Sequence, residues 1–300
     1  MQHGLSATPA ARVERALARR VSNEQPLSGG CVASVRRFDL DGGSRVVVKS
    51  SADPAMSLEI EGRMLADLAQ RSSLPVPEVL HAEPTLLVMT CVEHDGVGGA
   101  GGQRHAAELL AGLHGVTPLA SDVPDGWDPR RSFGYPCDTL IGALPQANGW
   151  RDSWIGFFRE RRLLAMAARA HNARGITTEQ RGRIDRLAER LDDLLIEPDA
   201  ASLLHGDVWG GNVLYHAGCV AAFIDPAISF GHPEIELAFG TLFGTFGESF
   251  FDAYRERRPI EPGFFEARRD LYNVYPLLVH ATMFGGGYGS QADAIVRRFV

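Results

Sequence analysis

Lys49 is the only lysine in a chain of 300 residues; the other 29 basic side chains are arginine. Coding bias toward arginine explains the missing lysines but not the survivor. An ammonium is a compact point charge and a guanidinium a planar fork, so a position that needs an ammonium between phosphate oxygens resists replacement. Lys49 ends the run Val46-Val47-Val48, and twelve residues later Glu61 lies in a segment with helical periodicity. At 100° per residue Leu58, Glu61, Met64, Leu65 and Leu68 share one stripe of roughly 120°, which places a carboxylate on an apolar face. Such a group is costly unless paired. A strand lysine paired with a helix glutamate is the device that holds the α- and β-phosphates of ATP in kinases. The alternative is a helix-edge glutamate reaching water and an edge-strand lysine.

A second group lies in the segment Leu203-Leu204-His205-Gly206-Asp207-Val208-Trp209-Gly210-Gly211-Asn212. It contains His-x-Asp-x-x-x-x-Asn directly after an apolar strand, the spacing of a kinase catalytic loop. Asp207 would accept the proton of a substrate hydroxyl, and Asn212 would bind Mg²⁺ through its side-chain oxygen. The run Val220 to Ile224 then delivers Asp225, the natural second Mg²⁺ ligand. Taken singly, His-Gly-Asp and Ile-Asp-Pro are ordinary turns; their order behind Lys49 and Glu61 is what makes them chemistry. The glycine-rich segment is Ser28-Gly29-Gly30-Cys31 rather than GxGxxG, Pro226-Ala227 follows Asp225 where protein kinases have Phe-Gly, and no Ala-Pro-Glu segment follows. The machinery for a peptide acceptor is missing, which points to a small one.

The elements that must position these residues fall into two halves. Residues 10–20 read as a surface helix, and Pro26 to Gly30 as a turn. Cys31–Leu40 and Arg45–Ser50 read as strands joined by Asp41-Gly42-Gly43. Residues 55–71 read as a helix ended by Pro75 and Pro77, and Thr85–Val92 as a third strand. Residues 96–102 read as a flexible joint. Beyond it helices dominate, about 103–114, 152–173 and 178–195, with strands only at 202–204, 213–215 and 220–224. The expected fold is therefore α+β and bilobal, protein-kinase-like, with an N-lobe over 1–92 and a C-lobe over 93–300.

Composition removes other classes. A net charge of −7 and a pI near 5.8 argue against nucleic acid as a partner. No apolar run of ~18 residues predicts a membrane span, and residues 7–21 lack the apolar region of a signal peptide. Cys31, Cys91, Cys137 and Cys219 are widely spaced without a CxxC pair, a pattern that fits a reduced, cytoplasmic protein.

With these residues in hand, the chain resembles the fructosamine-3-kinase (ketosamine-3-kinase) family, a branch of the protein-kinase-like superfamily near the aminoglycoside phosphotransferases. The resemblance runs from about Ser28 to Phe299. It is carried by Gly29-Gly30-Cys31, Val46 to Lys49, Phe133-Gly134, Pro145 to Trp150, the His205–Asn212 loop, Ile224 to Ala227, Gly231 to Glu234 and Phe284 to Tyr288. It implies ATP and Mg²⁺ as cofactors and the 3-hydroxyl of a free or protein-bound ketosamine as acceptor, the unstable product marking a deglycation or repair kinase. It also implies that Gly29 and Gly30 close over the phosphates and that Met89-Thr90-Cys91-Val92 grips adenine. Thr90 stands where Glu is usual, and Glu236 where Asp is usual. Trp209 packs on substrate or fills the lobe's core; His205 and Asn148 are further acceptor candidates, and helix entry explains Asn148 equally well. Cys31, among backbone amides aimed at phosphate, would be a redox-sensitive thiol or simply a small turn residue. An aminoglycoside- or choline-type phosphotransferase and a silent nucleotide-binding pseudokinase are the rival functions.

Overall fold

A computed structural model describes residues 8–27, 33–53 and 57–300. Gly29, Gly30 and Cys31 lie outside the described residues. The chain begins with α1 (Pro9–Leu17), β1 (Val21–Pro26), β2 (Ser34–Leu40) and β3 (Arg45–Ser50), followed by α2 (Leu58–Arg71), β4 (Val79–Glu83) and β5 (Leu86–Thr90). The five strands form one antiparallel sheet in the order β1-β2-β3-β5-β4.

Period-two alternation gives the sheet two working faces. Val46 and Val48 pack with Phe38, Leu40, Leu86 and Val88 against Val13 of α1. Val47 packs on the opposite side with Leu87 and Met89, against Leu58 and Leu65 of α2. Lys49 is two residues beyond Val47, so β3 presents it to the α2 side.

The larger half contains α3 (Gly99–Leu113), the hairpin β6–β7 (Thr139–Ile141, Leu144–Gln146), α4 (Trp154–Phe157), α5 (Ala165–Asn172), α6 (Thr178–Glu189) and α7 (Leu191–Leu194). Then come β8 (Ser202–Leu204), β9 (Val213–His216), β10 (Cys219–Phe223), β11 (Ser229–Gly231), α8 (Pro233–Leu242), α9 (Glu248–Arg255), α10 (Arg269–Phe284) and α11 (Tyr288–Val296). β8 pairs with β11 and β9 with β10, both antiparallel. Loops 205–212 and 224–228 therefore leave neighbouring strand ends side by side. Among the described residues no helix is long and apolar enough to cross a membrane.

Several sequence expectations are corrected. β1 was not expected: four of its residues, Ser22 to Gln25, are polar and exposed on a sheet edge, so no apolar alternation announces it. Pro26 is its last residue rather than a turn. β4 follows the Pro75/Pro77 break unannounced, and β6, β7 and β11 have only three residues each. The expected joint at 96–102 is largely helix, because α3 begins at Gly99. Two of its glycines serve packing: a Cβ on Gly98 or Gly102 would lie 2.9 or 2.8 Å from the Tyr215 ring. The single helix expected at 152–173 is divided by a π-helical stretch, Phe158–Leu164, which turns Arg162 into the core.

α8 is started by a buried histidine. His232 Nδ1 accepts the Glu234 amide at 3.1 Å, and the ring packs against Trp154 and Tyr272. Burial, helped by the nearby Arg268, pushes its pKa down to about 3. The folded value lies below the unfolded one, so this contribution to stability is complete above pH ~6.5 and is lost as pH falls toward 3. Chemical denaturation of the parent should show unfolding free energy declining below pH 6.5, with about 1 kcal/mol per pH unit traceable to this group. His232→Asn, which keeps a capping acceptor, should show a shallower decline; an unchanged slope would refute the assignment.

Candidate active site

The two carboxylates converge on the lysine. Lys49 Nζ donates to Glu61 Oε1 at 2.7 Å and to Asp225 Oδ1 at 2.5 Å. Burial pulls the ammonium's pKa down, but Glu61 and Asp225 more than offset it, so the group stays above its ordinary value and charged. Glu61 reaches the lysine because it occupies the apolar stripe of α2, one turn before Met64 and Leu65.

α2 is held at its far end by the other lobe. Arg71 donates two hydrogen bonds to Asp122, at 2.7 and 2.8 Å, and the Tyr135 hydroxyl donates to Asp67. Met64 and Leu68 belong to the main core of the larger lobe. Nothing in the sequence marks the Arg71–Asp122 pair, since the partners are 51 residues apart and ordinary surface types.

The second cluster sits on loop 205–212. Asn212 Nδ2 donates to the Asp207 backbone oxygen and to Asp207 Oδ2, both at 2.9 Å. With its NH₂ group so engaged, Asn212 has Oδ1 left to offer a cation. Burial, reinforced by Asp225, raises the Asp207 carboxyl to about 7. The two loops are stitched by Ile224 N to Asn212 O, 3.0 Å, and Ala227 N to His205 O, 2.7 Å. Gly206 has φ +87°, and a Cβ there would lie 2.1 Å from the Ala227 oxygen, so only glycine lets the loops approach this closely. Asp225 itself has φ +56°, a left-handed conformation that Asp tolerates better than most residues.

Glu236 of α8 anchors the loop from below. Its carboxylate accepts from Gly206 N at 2.6 Å and His205 N at 3.4 Å. His114 Nε2–H, just past the end of α3, donates to it at 2.9 Å, and His114 Nδ1 lies 2.7 Å from the Tyr254 hydroxyl. Burial would raise the Glu236 pKa, but the His114 hydrogen bond and the loop amides hold it below its usual value. The sequence showed Glu236 only as a departure from an expected Asp, and His114 and Tyr254 were missed; a histidine ending an apolar helix was the one available signal.

Two acceptor candidates are corrected. Asn148 is 0% exposed: its NH₂ donates to Thr139 Oγ1 and the Cys137 carbonyl, and its Oδ1 accepts from Arg162 Nη2 at 2.7 Å. It braces the β6–β7 hairpin, and Ser153 rather than Asn148 caps α4. His205 is also 0% exposed; its Nδ1 accepts the Asp207 amide at 3.3 Å and its ring packs on Phe223. It shapes the loop instead of meeting a substrate. Trp209 does not fill the core: it stands partly exposed beside Phe243.

In the segment Met89–Val92, Thr90 N donates to Glu78 O and Cys91 N to Arg45 O, while Thr90 Oγ1 accepts from Glu78 N. Both amides are thus engaged within the N-terminal half. No group of three or more His, Cys, Asp or Glu among the described residues would hold a metal unaided.

A fructosamine kinase family model matches residues 6–300. The chain is 33% identical over 277 residues to a chloroplastic protein-ribulosamine 3-kinase of Arabidopsis thaliana, covering 90% of this chain and 80% of the relative. It is 31% identical to the ketosamine-3-kinase of Mus musculus, with 90% and 92% covered. Among solved structures, a Thermobifida fusca protein assigned as a fructosamine-3-kinase superposes with a TM-score of 0.83 at 29% identity, covering 97% and 98%. The aminoglycoside phosphotransferase APH(4)-Ia, at 20% identity and a TM-score of 0.62 over 96% and 97%, shares the fold.

Glu236→Gln tests the anchor. An amide accepts on one side only, so its NH₂ must face either Gly206 N–H or His114, and one donor loses its partner. Turnover should fall about 10- to 100-fold at an unchanged KM for nucleotide. A variant with parental kcat would remove Glu236 from the catalytic loop's support.

Proposed function

We propose, from the premise that the chain belongs to the fructosamine kinase family, that it transfers the γ-phosphoryl group of ATP to the 3-hydroxyl of a ketosamine. The observation that carries this reading is the ammonium of Lys49 shared between Glu61 and Asp225, beside a loop that pairs Asp207 with Asn212. Relatives named for ribulosamine and ketosamine substrates support the acceptor class.

Lys49, steadied by Glu61, binds the α- and β-phosphates. Adenine lies against Met89–Val92 and is read through the backbone, while the Thr90 hydroxyl accepts from the Glu78 amide and keeps its own proton to donate. Gly29 and Gly30 complete the phosphate site. Asp207 accepts a hydrogen bond from the acceptor hydroxyl and takes its proton as the new bond forms; a carboxyl raised to about 7 by burial is a better base than an exposed one. A loose transition state needs mainly positioning and charge neutralisation, which these residues supply.

The donor set fits Mg²⁺. Asn212 Oδ1 and the Asp225 carboxylate are hard oxygen ligands, and two protein ligands suit an ion that takes the rest from phosphates and water. Bound there, Mg²⁺ would neutralise charge on the phosphate oxygens. A cytoplasmic setting belongs to the same proposal. It is supported by Cys91, Cys137 and Cys219 being free thiols.

A coupled ATP-consumption assay against fructosyl-, ribulosyl- and erythrulosyl-lysine tests the activity directly, and inertness toward all three would sink it. Asp207→Asn should lower kcat about 10³-fold while the Kd for Mg-ATP changes little. Lys49→Arg should also lose turnover, because the fork cannot take both carboxylates and phosphate at one point.

A further inference from the structure

Beside the catalytic loop lies a wall of aromatic side chains that the chemistry above does not use. Trp209 is two residues beyond Asp207, and Trp209, Phe243 and Phe284 are 39%, 40% and 50% exposed. They are linked ring to ring: Trp209 to Phe243 at 6.5 Å, Phe243 to His280 at 5.0 Å, and His280 to Phe284 at 5.6 Å and to Tyr288 at 5.1 Å. Large apolar side chains exposed as a contiguous group mark a contact surface.

The wall is fixed to the site. The Trp209 ring lies over Gly211, where a Cβ would meet it at 2.4 Å, and a Cβ on Gly210 would touch Thr245 Oγ1 at 3.7 Å. Phe239, which touches both Phe243 and His280, also lines the cavity beneath Gly206. The two stretches that build the wall, residues 237–247 and 271–292, contain no Asp, Glu, Lys or Arg.

Resting on the ketosamine reading, we infer that Phe243 and Phe284 form a subsite for the substituent on the acceptor's nitrogen, selecting ketosamines whose amine carries an apolar or aromatic group. A ketosamine has two unlike ends about the reacting hydroxyl. One is a polyol, which needs hydrogen-bond partners; the other is a secondary ammonium with whatever the amine brought. A charge-free aromatic wall suits the second, because ring faces attract an ammonium and bury an apolar substituent. It offers nothing to a polycationic antibiotic, which needs carboxylates.

The test compares kcat/KM for fructosyl adducts of methylamine, butylamine and benzylamine, which share one sugar. The parent should favour the benzylamine adduct over the methylamine adduct about tenfold, mostly through KM. In Phe243→Ala and Phe284→Ala that ratio should shrink to about threefold or less, and Phe284→Leu should restore part of it. The KM for ATP, set in the other part of the cleft, reports whether each variant keeps its fold. A parent indifferent to the substituent, or a preference that survives both alanine variants, overturns the subsite and leaves the kinase reading standing. If the parent phosphorylates none of the adducts, the ketosamine reading falls and the subsite with it.

Discussion

The arrangement depends on one buried ammonium. Lys49 is held by Glu61 from α2 and by Asp225 from the loop after β10, so three stretches of chain from both lobes meet at a single nitrogen. Two carboxylates held this close would repel without a cation between them. The lysine therefore aligns the lobes, besides the phosphate role proposed for it. A guanidinium is too broad for the same point, which is a physical reason why one lysine persists in a chain that uses arginine everywhere else.

That alignment is supported away from the cleft. In many kinase-fold proteins the helix bearing the glutamate is free to swing. Here α2 is fastened at its last residue by the paired hydrogen bonds from Arg71 to Asp122 and by the Tyr135 hydroxyl on Asp67. Its inner face joins the core of the larger lobe through Met64 and Leu68. A helix so tethered keeps Glu61 facing Lys49.

The candidate site residues were more legible in the sequence than the scaffold. Lys49, Glu61, Asp207, Asn212 and Asp225 stood out because a misplaced polarity or a fixed loop spacing betrays a residue that packing alone would not select. The β2–β3 hairpin was legible from its turn glycines and alternating apolar residues. β1 was not, because an edge strand with solvent on both sides shows no alternation. β6, β7 and β11 are too short to display a period. Gly98 and Gly102 were read as flexibility because one-dimensional sequence does not show the Tyr215 ring against them. His205 and Asn148 looked like acceptor contacts for a related reason: a polar residue next to a catalytic position is equally often the part that holds the loop, and only burial separates the two.

Glu236 shows how such a support tolerates change. The resemblance leads one to expect Asp there, and an added methylene carries the carboxylate roughly 1.5 Å further along its stem. Left alone, a buried carboxylate moved that far would miss one of its donors at a cost of about 1–3 kcal/mol. In this chain the same group accepts from Gly206 and His205 on the loop and from His114, the residue that caps α3. His114 in turn meets Tyr254 on α9. The longer side chain is thus engaged from both sides, and three helices hold the backbone of the catalytic loop. Because the loop is fixed through its amides, the Asp207 side chain is left to Asn212. The anchor sets where Asp207 stands, and its charge adds to the burial that raises that carboxyl.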